Sequence, residues 1–248
     1  MQSGGPSLPS GPPRRSPVTS NVSRHEMLID APKSLGITQI RDARVAALAL
    51  PHVEPLSAFV CGLRAQMGQS FDVPCFDPAD GGVHADCLFL LEAPGPKAVK
   101  SGFVSRNNPD ETAKNFFLLN SEAGIDRDRT IVWNIVPWYV GSGTKIRPTN
   151  AIDLLTAAPA LTALLSLLPR LHSIVLVGDK AASARSAIAA LATGARLYAI
   201  PHPSPMFVNR SPTNRHMLLA ALQQVAANLP SRAVTANSSF QPTACGGS

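Results

Sequence analysis

The sequence has few charged residues, few aromatic residues and few cysteines. Charged residues make up 15% of the 248 positions and hydrophobic residues 45%, so the chain has enough apolar material for a core and is not wholly disordered. The four cysteines stand at separations of 14, 12 and 158 residues, with no C-x-x-C pair. This spacing is neither a disulfide framework nor a zinc or iron–sulfur signature. We expect free thiols in a reducing cytoplasm, with no metal and no cofactor.

Long apolar runs are missing too. The uncharged stretch at residues 154–169 has 16 residues and contains Pro159, whereas a membrane-spanning helix needs about 18–20 apolar residues. The N-terminus lacks the apolar segment of a secretory signal, and we expect no membrane partner. Lys and Arg number 22 against 16 Asp and Glu, a net charge of +6. That balance modestly favours a polyanionic partner.

Glycine, proline and serine are concentrated at the two ends of the chain. They fill 13 of the first 20 positions, and such a stretch buries too little apolar surface to offset the entropy lost on ordering. We therefore expect a disordered N-terminal tail over residues 1–25 and a flexible C-terminal tail over residues 230–248. Residues 26–229 are predicted to form a single domain.

Four apolar runs between these tails predict β-strands, at residues 87–91, 130–136, 173–177 and 196–200. Continuous apolar strands are typical of a parallel sheet covered on both faces. Helical patterns are predicted at residues 41–50, 55–67, 110–123, 151–168 and 179–194, and a last helix begins at Ser211 and Pro212. The alternation predicts an α/β fold, with three layers, α/β/α, around a central, mainly parallel four-stranded sheet.

Polar and turn residues collect where these predicted strands end. Residues 92–96 follow the first strand, Asn134 lies near the end of the second, and residues 201–206 follow the fourth. Open α/β sheets bind ligands beyond the carboxyl ends of their strands, so the sequence predicts a site at this edge. No strand is followed by G-x-S-x-G, G-x-G-x-x-G or a Walker loop, which disfavours a hydrolase of the α/β type or a nucleotide binder.

Three short motifs at these positions resemble the uracil-DNA glycosylase superfamily. Glu-Ala-Pro-Gly at residues 92–95 is similar to the G-E-A-P-G motif of the family-4 enzymes, with Leu91 in place of the usual glycine. Gly-Phe-Val-Ser-Arg at residues 102–106 is similar to their P-F-V-G-R stretch, and His-Pro-Ser-Pro at residues 202–205 matches the H-P-S-P motif of the family-1 enzymes. The resemblance covers roughly residues 85–228 and implies the same α/β/α fold.

The resemblance also implies an activity. A member of this superfamily flips uracil out of DNA and hydrolyses its N-glycosidic bond in base excision repair. We expect a monofunctional, metal-free enzyme that acts as a monomer on uracil-containing DNA in the cytoplasm. The alternative is a nucleic-acid-binding module that kept the fold and lost catalysis.

The chain departs from the family patterns at two places. The family-1 pattern G-Q-D-P-Y-H has a water-activating Asp where this chain has Ala93, and a thymine-excluding Tyr where it has Gly95. The cysteine spacing that binds an iron–sulfur cluster in family-4 enzymes is missing. The sequence thus combines a first motif near family 4 with a second motif like family 1 and no cluster.

Three side chains are candidates for gripping the base. A neutral His202 would donate an N–H to uracil O2, where negative charge develops as the base departs. The amide of Asn134 would pair with O4 and N3–H together, which rejects cytosine because its donor and acceptor are exchanged. Phe103 would stack on the flipped base. The alternatives are a loop histidine, a turn or capping asparagine, and a phenylalanine packed in the core.

The residues around the first motif have a less definite role. Glu92 is the nearby carboxylate, and it either activates the attacking water or holds the local structure. In the second case, backbone N–H groups near Ala93 and Gly95 would bind uracil O2. Pro94 belongs to the same predicted substrate-binding segment.

DNA contacts are predicted on the loop after the fourth strand. Ser204 would offer a hydroxyl and a backbone N–H to a phosphate. Met206 stands where family-1 enzymes have a leucine that enters the duplex, or else packs inward against the last helix. Arg210 is the predicted basic contact of this loop, and further phosphate contacts or simple surface charges are Lys145, Arg147 and Arg215.

Overall fold

The computed structural model of the protein describes Met1 and residues 28–68, 71–142, 145–191 and 194–231. The predicted tails lie outside these ranges, apart from Met1 and residues 230–231. Within them the strands are β1 (Cys75–Phe76), β2 (Cys87–Leu91), β3 (Phe103–Val104), β4 (Thr130–Asn134), β5 (Gly141–Ser142), β6 (Lys145–Ile146), β7 (Ser173–Val177) and β8 (Arg196–Ile200). The helices are α1 (Thr38–Ala46), α2 (Glu54–Met67), α3 (Pro96–Ser101), α4 (Glu111–Glu122), α5 (Ala151–Ser166), α6 (Asp179–Ser183), α7 (Arg185–Leu191), α8 (Pro205–Val208) and α9 (Pro212–Ala227).

The centre of the domain is a four-stranded parallel sheet in the order β4-β2-β7-β8. Strands β4 and β7 are buried along their whole length, and β2 is buried up to Leu91, which explains their unbroken apolar sequences. Helices α2 and α5 pack together, and so do α4 and α9, so helices cover the sheet. The predicted three-layer α/β/α fold with its parallel four-stranded sheet is confirmed.

The second predicted strand is shorter than its apolar run. β4 ends at Asn134, but the N–H groups of Ile135 and Val136 still donate to the carbonyls of Leu91 (2.8 Å) and Glu92 (3.0 Å). The chain therefore stays apolar and hydrogen-bonded as it leaves the sheet. The predicted helix over residues 179–194 is also divided, into α6 and α7. At the break the N–H of Ala184 bonds three residues back, to Ala181 (3.1 Å).

Local sequence signals begin the helices that border the carboxyl edge of the sheet. Asp110 caps α4 by accepting the N–H of Ala113 (2.8 Å), as expected of an aspartate at this position. Proline occupies the first position of α3 and α8, at Pro96 and Pro205. The sequence predicts turns at these positions, but proline is well suited to the first turn of a helix because its missing N–H has no partner to lose.

Buried ion pairs hold the amino end of β4. The carboxylate of Asp77 accepts from Arg44 (2.7 Å), from Arg127 (2.7 Å) and from the hydroxyl of Ser105. Burial raises the pKa of Asp77, but the charges of Arg127 and Arg44 outweigh it, so the pKa lies below its ordinary value. We call Asp77, Arg44 and Arg127 the buried ion-pair cluster. One carboxylate thus binds two guanidinium groups, and Arg127 also binds a second carboxylate, that of Asp80 (2.8 Å).

A second set of ion pairs lies at the amino end of β2. Asp86 accepts from Arg129 (2.9 Å) and Arg170 (3.1 Å), and its carbonyl accepts the N–H of Ser173 at the start of β7 (3.0 Å). The amino edge of the sheet is therefore held by paired charges.

Within the described residues, no single helix has the length and apolar composition to cross a membrane. One bent pair of helical segments, Thr38–Ala49 and Glu54–Met67, has that length and composition only when the two segments are counted together.

Candidate active site

A cavity of about 410 Å³ opens at the carboxyl edge of the sheet. It lies between the segment after β2, the end of β4, the segment after β8 and the first turn of α4. Five residues of the sequence-predicted site line it: Ala93, Pro94, Gly95, Asn134 and His202. The topology brings them together because β2 is the neighbour of β4 in a parallel sheet, with Leu91 paired to Asn134.

Asn134 carries a buried donor without a partner. Its side chain is 3% exposed, and no hydrogen-bond partner for Nδ2 is found among the described residues. A buried polar group left without a partner costs about 1–3 kcal/mol, so the native structures of proteins pair nearly all such groups. Since Asn134 lines the cavity, its amide is placed to bind a ligand.

His202 faces the same cavity as a neutral imidazole. Burial lowers the pKa of His202 below its ordinary value, against the negative charges of Glu92 and Asp110, which raise it. A neutral imidazole offers one N–H donor and one acceptor nitrogen. The ring is therefore suited to donating a hydrogen bond to a developing anion without carrying a charge of its own.

Gly178 lies directly against the side chain of His202. Its φ is +87°, in the left-handed region, and its N–H donates to the carbonyl of Ile200 at the end of β8 (2.8 Å). A Cβ at this position would lie 3.2 Å from the Cβ of His202. Both the backbone conformation and the close approach require glycine here.

The carboxylate of Glu92 forms hydrogen bonds within the protein. Oε1 accepts the backbone N–H of Thr149 (2.8 Å) and its hydroxyl (2.9 Å), while Glu92 is not among the residues that line the cavity. These bonds fasten the segment after β2 to the start of α5, where Asn150 caps the helix. Of the two roles left open by the sequence, the contacts favour the structural one.

The predicted stacking role of Phe103 does not fit the structure. Its side chain is 1% exposed and packs with Leu35 and Ile40, away from the cavity. As part of β3, it is held by pairing with β1, which fixes its side chain in this second core cluster. The aromatic side chain among the described cavity residues is Phe116, on α4.

Phe116 is itself closely packed. It meets Phe89 edge-on with ring centres 4.9 Å apart, and the guanidinium of Arg106 lies 5.5 Å from its ring centre. Its place in the helical pattern of α4 made it look like an ordinary core residue, which explains why sequence reasoning missed it. Phe116 gives the cavity an aromatic wall.

Asp110 is a second residue that sequence reasoning assigned only to structure. It lines the cavity together with His202, in addition to capping α4. Helix α4 is tied to the segment after β8, because the side-chain amide of Asn115 donates to the carbonyl of Pro203 (3.1 Å). The aspartate signalled a helix start, and nothing in the sequence placed that start beside a histidine 92 residues further on.

The residues predicted to hold DNA lie outside the cavity. Met206 is 85% exposed on α8, so it does not pack inward against α9. The hydroxyl of Ser204 accepts the N–H of Phe207 (3.3 Å) and caps α8, which leaves its hydrogen free to be donated. Arg210 is exposed and forms no ion pair with any residue that the structure describes.

Two of the further basic candidates are already paired. Arg147 binds both carboxylate oxygens of Asp153 (2.6 and 2.8 Å), within the first turn of α5. Arg215 pairs with Glu122 on α4. The side chain of Lys145 lies outside the described part of the chain. Within that part, no group of three or more His, Cys, Asp or Glu side chains is placed to hold a metal ion.

Comparisons with known proteins identify a family. The model of the uracil DNA glycosylase superfamily matches residues 78–226. Among solved structures, a protein of Methanosarcina acetivorans provisionally assigned as a uracil DNA glycosylase matches with a TM-score of 0.41 and 15% identity, covering 58% of this chain and 92% of that one. Pedobacter heparinus SMUG2 matches with a TM-score of 0.47 and 12% identity, covering 72% and 85%. No curated protein gives a significant match.

The family match includes all four strands of the central sheet and all residues that line the cavity. The site and the sheet that positions it thus both fall within the region that matches the family.

Proposed function

The chain belongs to the uracil DNA glycosylase superfamily, and from this premise we propose that it releases uracil from DNA by hydrolysing the N-glycosidic bond. The observation that carries the proposal is the buried, unpartnered amide nitrogen of Asn134 in the cavity. A ligand with a matching acceptor in the cavity would pair with this group, and a flipped base is a ligand of that kind.

Asn134 suits uracil in particular. Its Nδ2 donates to O4 while its Oδ1 accepts from N3–H, and both contacts are made in one plane. Cytosine presents the opposite pattern at these two positions and leaves both groups of the amide unsatisfied. A site built to hydrogen-bond its substrate rejects such an analogue strongly, because its own buried polar groups then stay unpaired.

His202 acts on the departing base. Cleavage of the bond between N1 and C1′ leaves an electron pair on uracil, and the negative charge spreads to O2. A neutral imidazole N–H pointing at O2 stabilises this charge more than it stabilises the neutral ground state, which is the condition for lowering the barrier. Its lowered pKa keeps the imidazole neutral near neutral pH.

The remaining walls exclude water and hold the DNA. Apolar side chains of Leu91, Val104, Phe116 and Val132 line the cavity, so electrostatic interactions inside it are weakly screened. The exposed Met206 stands beside the segment that carries His202, where an apolar side chain can occupy the gap left in a duplex. Arg210 and Ser204 on the same side are suited to phosphate contacts.

The test is a base-release assay on matched oligonucleotides that contain U, C, T or hypoxanthine at one position. It is run with the full chain in EDTA, as expected of a monofunctional, metal-free enzyme. Release of uracil with little release of cytosine supports the proposal. Activity that disappears in EDTA and returns with zinc or iron contradicts it.

A second candidate is a binding module that keeps the fold without catalysis. It is favoured by one observation, the engagement of Glu92 with Thr149 in a chain that has Ala93 at the position of the usual catalytic aspartate. The same oligonucleotides distinguish the two functions. A module binds uracil DNA in a mobility-shift assay and releases no base.

A further inference from the structure

The candidate active site has no obvious group to activate the attacking water. Residue 93 is an alanine, and the carboxylate of Glu92, which accepts two hydrogen bonds from Thr149 through Oε1, is not among the described residues that line the cavity. Among the described residues that line the cavity there is one carboxylate, that of Asp110; the charged or titratable side chains beside it are Lys97, Arg106 and His202. Any carboxylate chemistry in this cavity therefore falls to Asp110.

The carboxylate of Asp110 is only partly used by the fold. Oδ1 accepts the N–H of Ala113 (2.8 Å) as the cap of α4. An ionised carboxylate has two oxygens and about four acceptor positions, so one helix cap leaves most of that capacity available. Asp110 is partly exposed and belongs to the cavity lining, so the free acceptor positions are accessible to water.

The position of Asp110 relative to His202 is fixed. The amide of Asn115, on the first turns of α4, donates to the carbonyl of Pro203, the residue after His202 (3.1 Å). Burial lowers the pKa of His202, while the negative charges of Glu92 and, to a smaller extent, of Asp110 raise it, so both carboxylates lie within electrostatic reach of the imidazole. The side chains of Asp110 and His202 both line the cavity.

Resting on the proposed function, we propose that Asp110 holds and deprotonates the water that attacks the sugar. The water oxygen forms a bond to C1′ while the bond from C1′ to N1 of uracil breaks. The electron pair of that bond leaves with uracil, where His202 and Asn134 receive the charge. The proton of the water passes to the carboxylate of Asp110 and from there to solvent, the uracil anion takes up a proton from solvent, and the products are uracil and an abasic site.

The decisive variant is Asp110→Asn. Asparagine caps helices as well as aspartate does, and its Oδ1 can still accept the N–H of Ala113, so α4 is preserved while the base is removed. General-base catalysis contributes about 10²–10⁴-fold to a rate. We expect single-turnover release of uracil to fall by a factor in this range, while the midpoint of thermal unfolding and the affinity for uracil DNA stay as in the wild type.

The matched control is Asp126→Asn. Asp126 is an exposed aspartate at the start of another helical turn, Arg127–Arg129, away from the cavity. The Asp126→Asn variant loses one negative charge, as Asp110→Asn does, so a general effect of charge on DNA binding appears in both variants. We expect its rate of uracil release to equal that of the wild type.

The outcomes separate this inference from the proposed function. If the wild type releases uracil and Asp110→Asn releases it at a similar rate, the role of Asp110 is wrong and the proposed function stands. If Asp110→Asn loses affinity or thermal stability in step with its rate, the residue is structural and the inference is again wrong. If the wild type releases no uracil, the proposed function fails, and the inference fails with it.

Discussion

The two edges of the central sheet use polar residues in opposite ways. At the amino edge, the carboxylate of Asp77 in the buried ion-pair cluster binds the guanidinium groups of Arg44 and Arg127. At the carboxyl edge, the amide nitrogen of Asn134 is buried with no partner among the described residues, and His202 faces a cavity. The charged groups at the amino edge bind one another, whereas the polar groups at the carboxyl edge line a cavity. Substitutions at the two edges should therefore separate stability from activity.

The largest effect is expected from Asp77→Ala at the amino edge. The carboxylate is 0% exposed, and removal of one partner from a buried ion pair costs about 3–5 kcal/mol, because the other charges stay buried. We expect urea unfolding to show a loss of that size. Glu122→Ala, which breaks an exposed pair with Arg215, serves as control and should leave the midpoint unchanged. Equal midpoints for both variants would contradict the distinction.

Acid should weaken the same cluster. Burial raises the pKa of Asp77, but the charges of Arg127 and Arg44 lower it further, so the folded pKa lies below the unfolded one. The stabilisation is therefore fully present above the unfolded pKa, which is about 3.9, and is lost as the pH falls through the depressed folded pKa. The Asp77→Ala variant should lack this part of the acid dependence.

His202→Ala is expected to affect activity without a comparable loss of stability. One preorganised donor to a developing oxyanion contributes about 2–4 kcal/mol to the chemical step. Single-turnover release of uracil should fall accordingly, while affinity for uracil DNA changes much less. The control is His216→Ala, an exposed histidine on α9, which should leave the rate intact. Near-normal cleavage by His202→Ala would remove this residue from the catalytic set.

Asn134→Asp should change the choice of base. An ionised carboxylate only accepts hydrogen bonds, so the donor to uracil O4 is lost, at a cost of about 1–3 kcal/mol for the unmade bond. The ratio of uracil release to cytosine release, measured side by side on matched strands that contain U or C, should therefore fall. If release of uracil stays intact, the base is read elsewhere and the unpartnered amide has another explanation.

The smallest effect is expected from Met206→Ala. An apolar side chain that fills the gap left by a flipped base matters in a duplex and has no such gap to fill in a single strand. We expect duplex cleavage to fall severalfold more than single-strand cleavage, with unchanged thermal stability because the side chain is 85% exposed. Met217→Ala, a half-exposed methionine on α9, is the matched control. A ratio that stays constant would exclude the wedge.

The sequence predicted β2 and β7 well because burial on both faces leaves unbroken apolar runs, at residues 87–91 and 173–177. The run at residues 196–200 coincides with β8, although that edge strand is largely half-buried or exposed. The two-residue strands β1 and β3 are too short to show any period, and they were missed. Their pairing is what carries Phe103 away from the cavity, so the error over its role follows from the missed strands.

The site was predictable where a residue follows a strand and obscure where it depends on packing between distant helices. Asn134 and His202 lie at strand ends, and parallel topology alone brings such ends together. Asp110 and Phe116 reach the cavity through α4, whose docking depends on contacts with α8 and α9. In sequence, a helix-capping residue looks the same whether or not a cavity lies beside it, and so does an apolar residue of a helix.

The hydrogen bond from Asn115 to Pro203 has a consequence for how this molecule can evolve. It joins segments 88 residues apart, so a change in α4 is transmitted to His202, and a change beside His202 is transmitted to α4. The side chains of Met206 and Arg210 are instead exposed. Lineages that keep the chemistry while changing the DNA they act on would therefore accumulate substitutions on the outer rim and keep Asn115.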